Sequence, residues 1–331
     1  MMPVPRKVLP IINLFRHKPV LALFEVNLQC NSGCGYCSLP LNQGRYEMSR
    51  AEIRRVFDGL YRDGLRYVFL QGGEPTLRED LLEIIADLHE IGFTQTLVSN
   101  GTRMSEAFID RLRNMPVNVT ISLDSLDRAR YQRIRGQDQL KNVLAAVNRL
   151  ADYPHPKYLA CVVSEQNRDE VMDLLRFARE HGFIPTVTPY HWKVGRYGRE
   201  DPGLQYQRES LVPVFREVLA SGLAQEGYLS HHVRDSIRWL QGKKLEACDA
   251  GQFSIAIDAS GNVAPCQAQQ AAGNLLQEPL AQILGRMDRE AVRQCSNASG
   301  CNLICNRIVG SNLRHPIKAA RSPNLFRHVS L

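Results

Sequence analysis

Two hydrophobic periods alternate along the chain from residue 20 to residue 190. Short apolar runs stand at Val20–Val26, Tyr67–Leu70, Thr94–Val98, Val117–Ile121, Tyr158–Val163 and Ile184–Val187. Their length and β-branched content predict strands. Stretches of helical spacing separate them. The first helix opens on Ser49 with Glu52 three residues on, a capping box, and stops at Gly64. Others are predicted from Glu79 to Gly92, from Ser105, over Leu140–Leu150, and from Asn167, with Glu170 three residues on, to Gly182. A repeated strand–loop–helix unit implies a parallel sheet covered by helices. A closed eight-unit barrel takes about 250 residues. Residues 20–190 therefore predict an α/β fold, a partial (β/α)6 TIM-like barrel, with residues 1–19 as an N-terminal extension.

After Trp192 the pattern changes. Lys193–Gln207 is polar and reads as a linker or lid, followed by helical spacing at Ser210–Ala220 and His231–Gln241; together these form a connecting region at 191–246. Phe253–Asp258 alternates like a strand, Ala259-Ser260-Gly261-Asn262 turns, and Val263–Pro265 returns. This predicts a small β-hairpin-plus-helix unit at 247–310. Residues 311–331 read as a basic tail with no element of its own.

Cysteine placement adds chemistry to this outline. Nine cysteines in 331 residues are too few for a disulfide scaffold, and the odd number argues against full pairing. Cys30, Cys34 and Cys37 crowd into one loop, Cys248, Cys266, Cys295, Cys301 and Cys305 into the last quarter, and Cys161 stands alone. Without an export signal, two such groups point to metal sites in a reducing, cytoplasmic setting. No apolar run reaches the roughly 18 residues of a membrane span. The net charge of +7 and the basic, partly apolar ends at Arg6–Lys18 and Arg314–His328 are compatible with an anionic substrate or membrane association.

In parallel α/β folds, ligand chemistry gathers where strands end at their C-termini. Here those ends read Gln29-Cys30, then Gln71-Gly72-Gly73-Glu74-Pro75, Ser99-Asn100-Gly101-Thr102, Ser122-Leu123-Asp124-Ser125, Cys161 to Ser164, and Tyr190-His191. They define one active-site rim. The spacing C-x3-C-x2-C differs from the paired C-x2-C of zinc sites. Three thiolates with no fourth nearby suit a [4Fe–4S] cluster that keeps one iron open.

In these cysteines, in Tyr36 before the last of them, in the Gly72-Gly73-Glu74-Pro75 loop, in Ser99 to Thr102, in Ser122 to Ser125 and in Arg133-Ile134-Arg135-Gly136, the chain resembles the radical S-adenosylmethionine superfamily over about residues 20–190. The resemblance implies that S-adenosylmethionine chelates the open iron and is reductively split to methionine and a 5′-deoxyadenosyl radical. It also implies roles. Gly72 and Gly73 bring backbone close to the methionyl amino group, and Glu74 accepts from it. Adenine lies along Tyr36, Ser122 and Asp124 meet the ribose hydroxyls with Asn100 nearby, and Arg135 meets the carboxylate. Arg133 is the rival, since only one of the two should point inward. Cys161 and Tyr190 are candidates for a hydrogen donor or catalytic group, and His191 and Trp192 for the pocket wall.

The later cysteines follow C-x12-G-x4-C, then Gly273-Asn274-Leu275, then C-x5-C-x3-C. This resembles the auxiliary-cluster extension called SPASM or twitch. Val292 stands where a further cysteine of the full pattern falls, and none follows Cys305. Five thiols remain for one auxiliary [4Fe–4S] cluster with four ligands, so one of Cys295, Cys301 and Cys305 is spare. Zinc is the alternative occupant. The expected activity is hydrogen abstraction from a natural-product, cofactor, lipid or peptide precursor, with a flavodoxin or ferredoxin-type reductant. The nineteen residues before the first strand are fewer than a separate leader-binding domain needs, which lowers the peptide reading. Two rivals are a non-catalytic iron–sulfur electron carrier or sensor, and a nucleic-acid-modifying radical enzyme. An RNA-binding module and an aromatic–basic stripe are both missing, which disfavours the latter.

Overall fold

The computed structural model describes residues 9–42, 44–194, 198–224, 228–297 and 300–315. The first eight residues and most of the basic tail lie outside these.

The strands are β1 (Leu21–Asn27), β2 (Tyr67–Gly72), β3 (Thr94–Ser99), β4 (Val117–Ser122), β5 (Lys157–Val163), β6 (Ile184–Pro189), β7 (Ser254–Ile257), β8 (Asn262–Ala264) and β9 (Gly273–Asn274). The helices are α1 (Leu9–Phe15), α2 (Arg50–Arg62), α3 (Leu81–Ile91), α4 (Glu106–Arg113), α5 (Arg128–Arg135), α6 (Leu140–Arg149), α7 (Val171–Glu180), α8 (Val212–Ser221), α9 (Tyr228–Leu240), α10 (Leu280–Arg286), α11 (Arg289–Asn297) and α12 (Ile308–Arg314). All strands join one sheet in the order β6-β5-β4-β3-β2-β1-β7-β8-β9, with β1 to β6 parallel. The sheet does not close into a barrel. The hairpin β7–β8 is antiparallel, and β7 adds to β1 in parallel, pairing Leu21 with Ser254 and Phe24 with Ile257.

The six expected strands and the capping box of α2 are present, Ser49 and Glu52 each accepting from the other's backbone. Three expectations need correction. Helix α5 forms where none was read, capped by Asp127 and closed by Gly136. Helix α12 runs into the segment read as a tail without an element. The box expected at Asn167 and Glu170 does not form, because both side chains are engaged elsewhere. Asn167 accepts from Ser164 N at 2.8 Å and donates to Asp124 O at 2.7 Å. Glu170 accepts from Ser125 Oγ at 2.6 Å, Leu126 N at 2.7 Å and Asp127 N at 3.1 Å. It thereby ties the start of α7 to the start of α5.

Strand alternation gives the sheet two unlike faces. One is apolar and covered by helices: Phe24, Val68, Leu70, Leu97, Val119, Ile121, Leu159, Cys161 and Val163 are fully buried. Phe24 packs on Phe57 of α2 with ring centroids 5.0 Å apart. Each such side chain contributes about 1.5–3 kcal/mol through burial. Residues of the other phase, Gln71, Val98, Thr120, Ser122, Ala160, Val162, Thr186 and Thr188, are only half-buried. Register places them side by side: Val98 faces Thr120, Ser122 faces Ala160, Ala160 faces Thr186 and Val162 faces Thr188. Half-buried positions on inner strands mean an open trough, lined by these uncharged groups and closed at β1 by the buried Glu25, which faces Gln71.

Candidate active site

The first cysteine loop leaves β1 and lies across the rim. Its depth is set by Gly72 and Gly73. Gly72 has φ 135°, and a Cβ on Gly73 would lie 1.9 Å from Gln29 O. Gly73 N donates to Asn27 O at 3.0 Å and Glu74 N to Gln29 O at 2.7 Å. The glycines are therefore required by backbone packing between the ends of β1 and β2, a demand the sequence reading had assigned to the methionyl amino group.

Glu74 is 1% exposed. Its Oε1 accepts from Thr76 N, Thr76 Oγ1 and Ser99 Oγ at 3.1, 2.6 and 2.7 Å, and Oε2 accepts from Asn100 N at 2.7 Å. Burial pushes its carboxyl up despite these bonds. Asn100 donates to Asn31 Oδ1 at 2.8 Å and Ser32 Oγ at 3.2 Å, and its Oδ1 accepts from Thr102 N and Oγ1 at 2.9 and 2.7 Å. Asn31 donates to Thr102 Oγ1 at 2.8 Å. Asn100 thus fastens the cysteine loop to β3. Asn31, Ser32 and Thr102 were missed; the Asn100-Gly101-Thr102 turn carried the only signal, since Asn amides readily bond two residues on.

Asp124 has partners of its own. It is fully buried. Oδ1 accepts from Val162 N at 2.8 Å, and Oδ2 accepts from the Tyr36 hydroxyl at 2.8 Å and pairs with Arg135 Nε at 2.7 Å. Both oxygens have partners within the protein, and Oδ1 keeps one acceptor position. Arg135 points inward and donates from Nη1 to Cys34 Sγ at 3.8 Å. Arg133 points outward, half-exposed, 3.5 Å from Asp201. Ser122 remains at the trough mouth.

Neither weak catalytic candidate is placed for chemistry. Cys161 shares the phase of Leu159 and Val163, so it faces the helices, and burial raises its thiol well above the usual range. Tyr190 is buried and anchors the segment after β6. Its carbonyl accepts from Tyr206 Oη at 2.7 Å, and its hydroxyl accepts from Asp201 N at 3.2 Å and donates to Arg199 O. Residues 198 and 199 contact the cysteine loop: Arg199 N donates to Tyr36 O at 3.3 Å, and Gly198 bridges Cys37.

The donor chemistry of the first loop fits a four-iron cluster. Burial raises the Cys30 thiol to about 11 and Cys37 to about 12. Such thiols ionise at neutral pH when a metal takes the sulfur. Among the described residues no three His, Cys, Asp or Glu side chains converge on a single-ion site; ligands of a cubane stand further apart, on separate irons.

In the last quarter, Asp249 N donates to Asn306 O at 2.9 Å, Gly310 N to Asp249 Oδ2 at 2.7 Å, and Arg307 Nη1 to Glu246 O at 2.7 Å. These bonds stitch the segment after Cys301 to the strand leading into β7. A hydrogen bond between the Cys295 and Cys301 thiols lowers Cys295 to about 6 and raises Cys301. Cys248 and Cys266 both lie within electrostatic reach of Cys295. Cys305 is a buried thiol raised to about 11 by burial, and among the described residues it feels no other cysteine.

Comparison with known proteins fits this geometry. Residues 25–178 match the radical SAM superfamily, and residues 248–306 match the SPASM iron-sulfur cluster-binding domain. The chain belongs to the radical SAM superfamily. As a radical SAM protein with a SPASM domain, it takes S-adenosylmethionine, the cluster that binds it and an auxiliary cluster as cofactors. A probable GTP 3′,8-cyclase of Pyrococcus horikoshii is 36% identical over 173 residues, 49% of this chain and 54% of that protein. The GTP 3′,8-cyclase of Synechococcus elongatus is 34% identical over 160 residues, 46% of this chain and 49% of that one. The chain thus spans about half the length of the curated relatives it matches. Among solved structures, Streptococcus suis SuiB bound to S-adenosylmethionine aligns with TM-score 0.68 at 16% identity, over 84% of this chain and 69% of that one. The enzyme anSMEcpe with bound AdoMet aligns with TM-score 0.65 at 16% identity, over 95% and 98%. Among the described residues no helix is long and apolar enough to cross a membrane.

Proposed function

We propose that this radical SAM protein is an enzyme that abstracts a hydrogen atom from the uncharged, hydroxylated part of a small nucleotide-type cofactor precursor. The open trough beneath the cysteine loop carries the reading. Its half-buried walls offer Gln71, Thr120, Ser122, Thr186 and Thr188 as uncharged hydrogen-bonding groups, and Glu25 stands buried on the same face beside Gln71. An acyl chain would leave those groups without partners, at a cost of about 1–3 kcal/mol each. A sugar or nucleoside satisfies them, with its phosphates outside the trough. The cyclase relatives, which act on GTP by name, support the same class.

When bound, the first cluster supplies the electron that splits the sulfonium of S-adenosylmethionine into methionine and a 5′-deoxyadenosyl radical. Cys30, Cys34 and Cys37 hold that cluster. Gly72, Gly73 and Glu74 shape the loop for the methionyl end, Tyr36 walls the adenine side, and the lid from Gly198 to Tyr206 excludes water. Cys248, Cys266, Cys295 and Cys301 hold the auxiliary cluster, which serves electron flow, and Cys305 is spare. A flavodoxin or ferredoxin-type reductant in the cytoplasm completes the reading.

The test uses GTP as probe. Anaerobically reconstituted, reduced protein with S-adenosylmethionine should form 5′-deoxyadenosine at least tenfold faster when GTP is added, with a new guanine-containing product by mass spectrometry. An unchanged rate with GTP fully recovered would overturn the nucleotide reading.

A further inference from the structure

We propose that Arg135 acts on the first cluster itself: its guanidinium, fixed by Asp124, donates to the Cys34 sulfur and raises the reduction potential of the cluster bound there. The residue is 5% exposed. A cation so buried needs a counter-charge. Asp124 supplies it at 2.7 Å. The carboxylate cannot swing, because Val162 N holds Oδ1 and the Tyr36 hydroxyl holds Oδ2, both at 2.8 Å. Nε of the guanidinium is held at Asp124 by the ion pair, without a well-aimed hydrogen bond, and Nη1 reaches Cys34 Sγ at 3.8 Å.

The backbone adds a second fixing. Gly33 N donates to Arg135 O and Gly35 N to Ile134 O, each at 3.0 Å. These two amides bracket Cys34. Gly136, at φ 72°, permits the approach, since a Cβ there would stand 2.3 Å from Gly33 O. The residue that carries the donor therefore also clamps the loop that carries the acceptor. A positive donor on a ligating sulfur draws charge from it and favours the reduced cluster, which is the more negative state. The carboxylate of S-adenosylmethionine, the partner implied by family resemblance, is not needed for this placement.

The measurement is a redox titration of full-length reconstituted protein followed by electron paramagnetic resonance, without S-adenosylmethionine. The first cluster is recognised by the change in its spectrum when S-adenosylmethionine is added afterwards. Arg135→Gln should lower its ratio of reduced to oxidised form at fixed poise at least tenfold, which is 59 mV for one electron. Asp124→Asn should move it the other way, and Arg135→Lys should fall between wild type and Arg135→Gln. The auxiliary cluster should titrate unchanged, and affinity for S-adenosylmethionine should change less than threefold. An unmoved potential with tenfold weaker binding would assign Arg135 to the carboxylate and overturn the proposal. Shifts of the same sign in Arg135→Gln and Asp124→Asn, or loss of the first cluster in all three variants, would reduce the pair to a folding element and overturn it equally.

Discussion

At the scale of the residue, spacing and side-chain type reveal ligands well and partners poorly. The C-x3-C-x2-C loop was legible because chelation forces thiols close in sequence. The protein partners of Asp124 and Asn100 were not legible because they lie 88 residues away at Tyr36 and 69 residues away at Asn31, and no local pattern encodes such contacts. The spare auxiliary cysteine was undecidable from spacing for the same reason. In the folded chain a hydrogen bond links the Cys295 and Cys301 thiols, while the Cys305 thiol is raised by burial and, among the described residues, shifted by no other cysteine. Cys305→Ser should therefore keep the full iron content of wild type, whereas Cys301→Ser should lose about half of it, since a cubane missing one of four thiolates is labile. Iron and sulfide assay after anaerobic reconstitution reads this directly. Equal loss in both variants would return Cys305 to the ligand set.

At the scale of the element, strands were legible to within a residue or two because their apolar runs must be buried on at least one face. Helix α5 was hidden. Its sequence, Arg128-Ala129-Arg130-Tyr131-Gln132-Arg133-Ile134-Arg135, is too polar to show a core stripe, and only Tyr131, Ile134 and Arg135 turn inward. The seam between β6 and α9 was likewise invisible. There His232 is buried, and burial, with His191 and Arg307 nearby, lowers its pKa from 6.5 to about 3. The folded state keeps it neutral, while the unfolded chain takes a proton below pH 6.5. The contribution is thus present above 6.5 and lost as pH falls toward 3, at about 1.4 kcal/mol per pH unit. Urea unfolding of the metal-free chain should show a midpoint that falls between pH 7.5 and 5.5, and His232→Phe should flatten that slope. Identical slopes in the two chains would contradict the assignment.

At the scale of the whole molecule, sequence predicted two units in succession, and the structure joins them through one sheet. Strand β7 lies on β1, the strand that delivers the first cysteine loop. That pairing spans more than 200 residues and has no sequence signature beyond two compatible apolar runs. Its consequence is that the hairpin carrying Cys248 and Cys266 is fixed to the same strand as Cys30. The trough and both cysteine groups then share one frame, the continuous nine-stranded sheet. The central claim is that this frame supports reductive cleavage of S-adenosylmethionine at the first cysteine loop. The direct test is to measure 5′-deoxyadenosine from the reduced, reconstituted chain without added substrate, beside a variant with Cys30, Cys34 and Cys37 all changed to Ala. Wild type should bind about eight irons and release the nucleoside slowly; the variant should keep about half the iron and release none. Wild type that holds its full iron, accepts electrons and yet yields no 5′-deoxyadenosine would contradict the account.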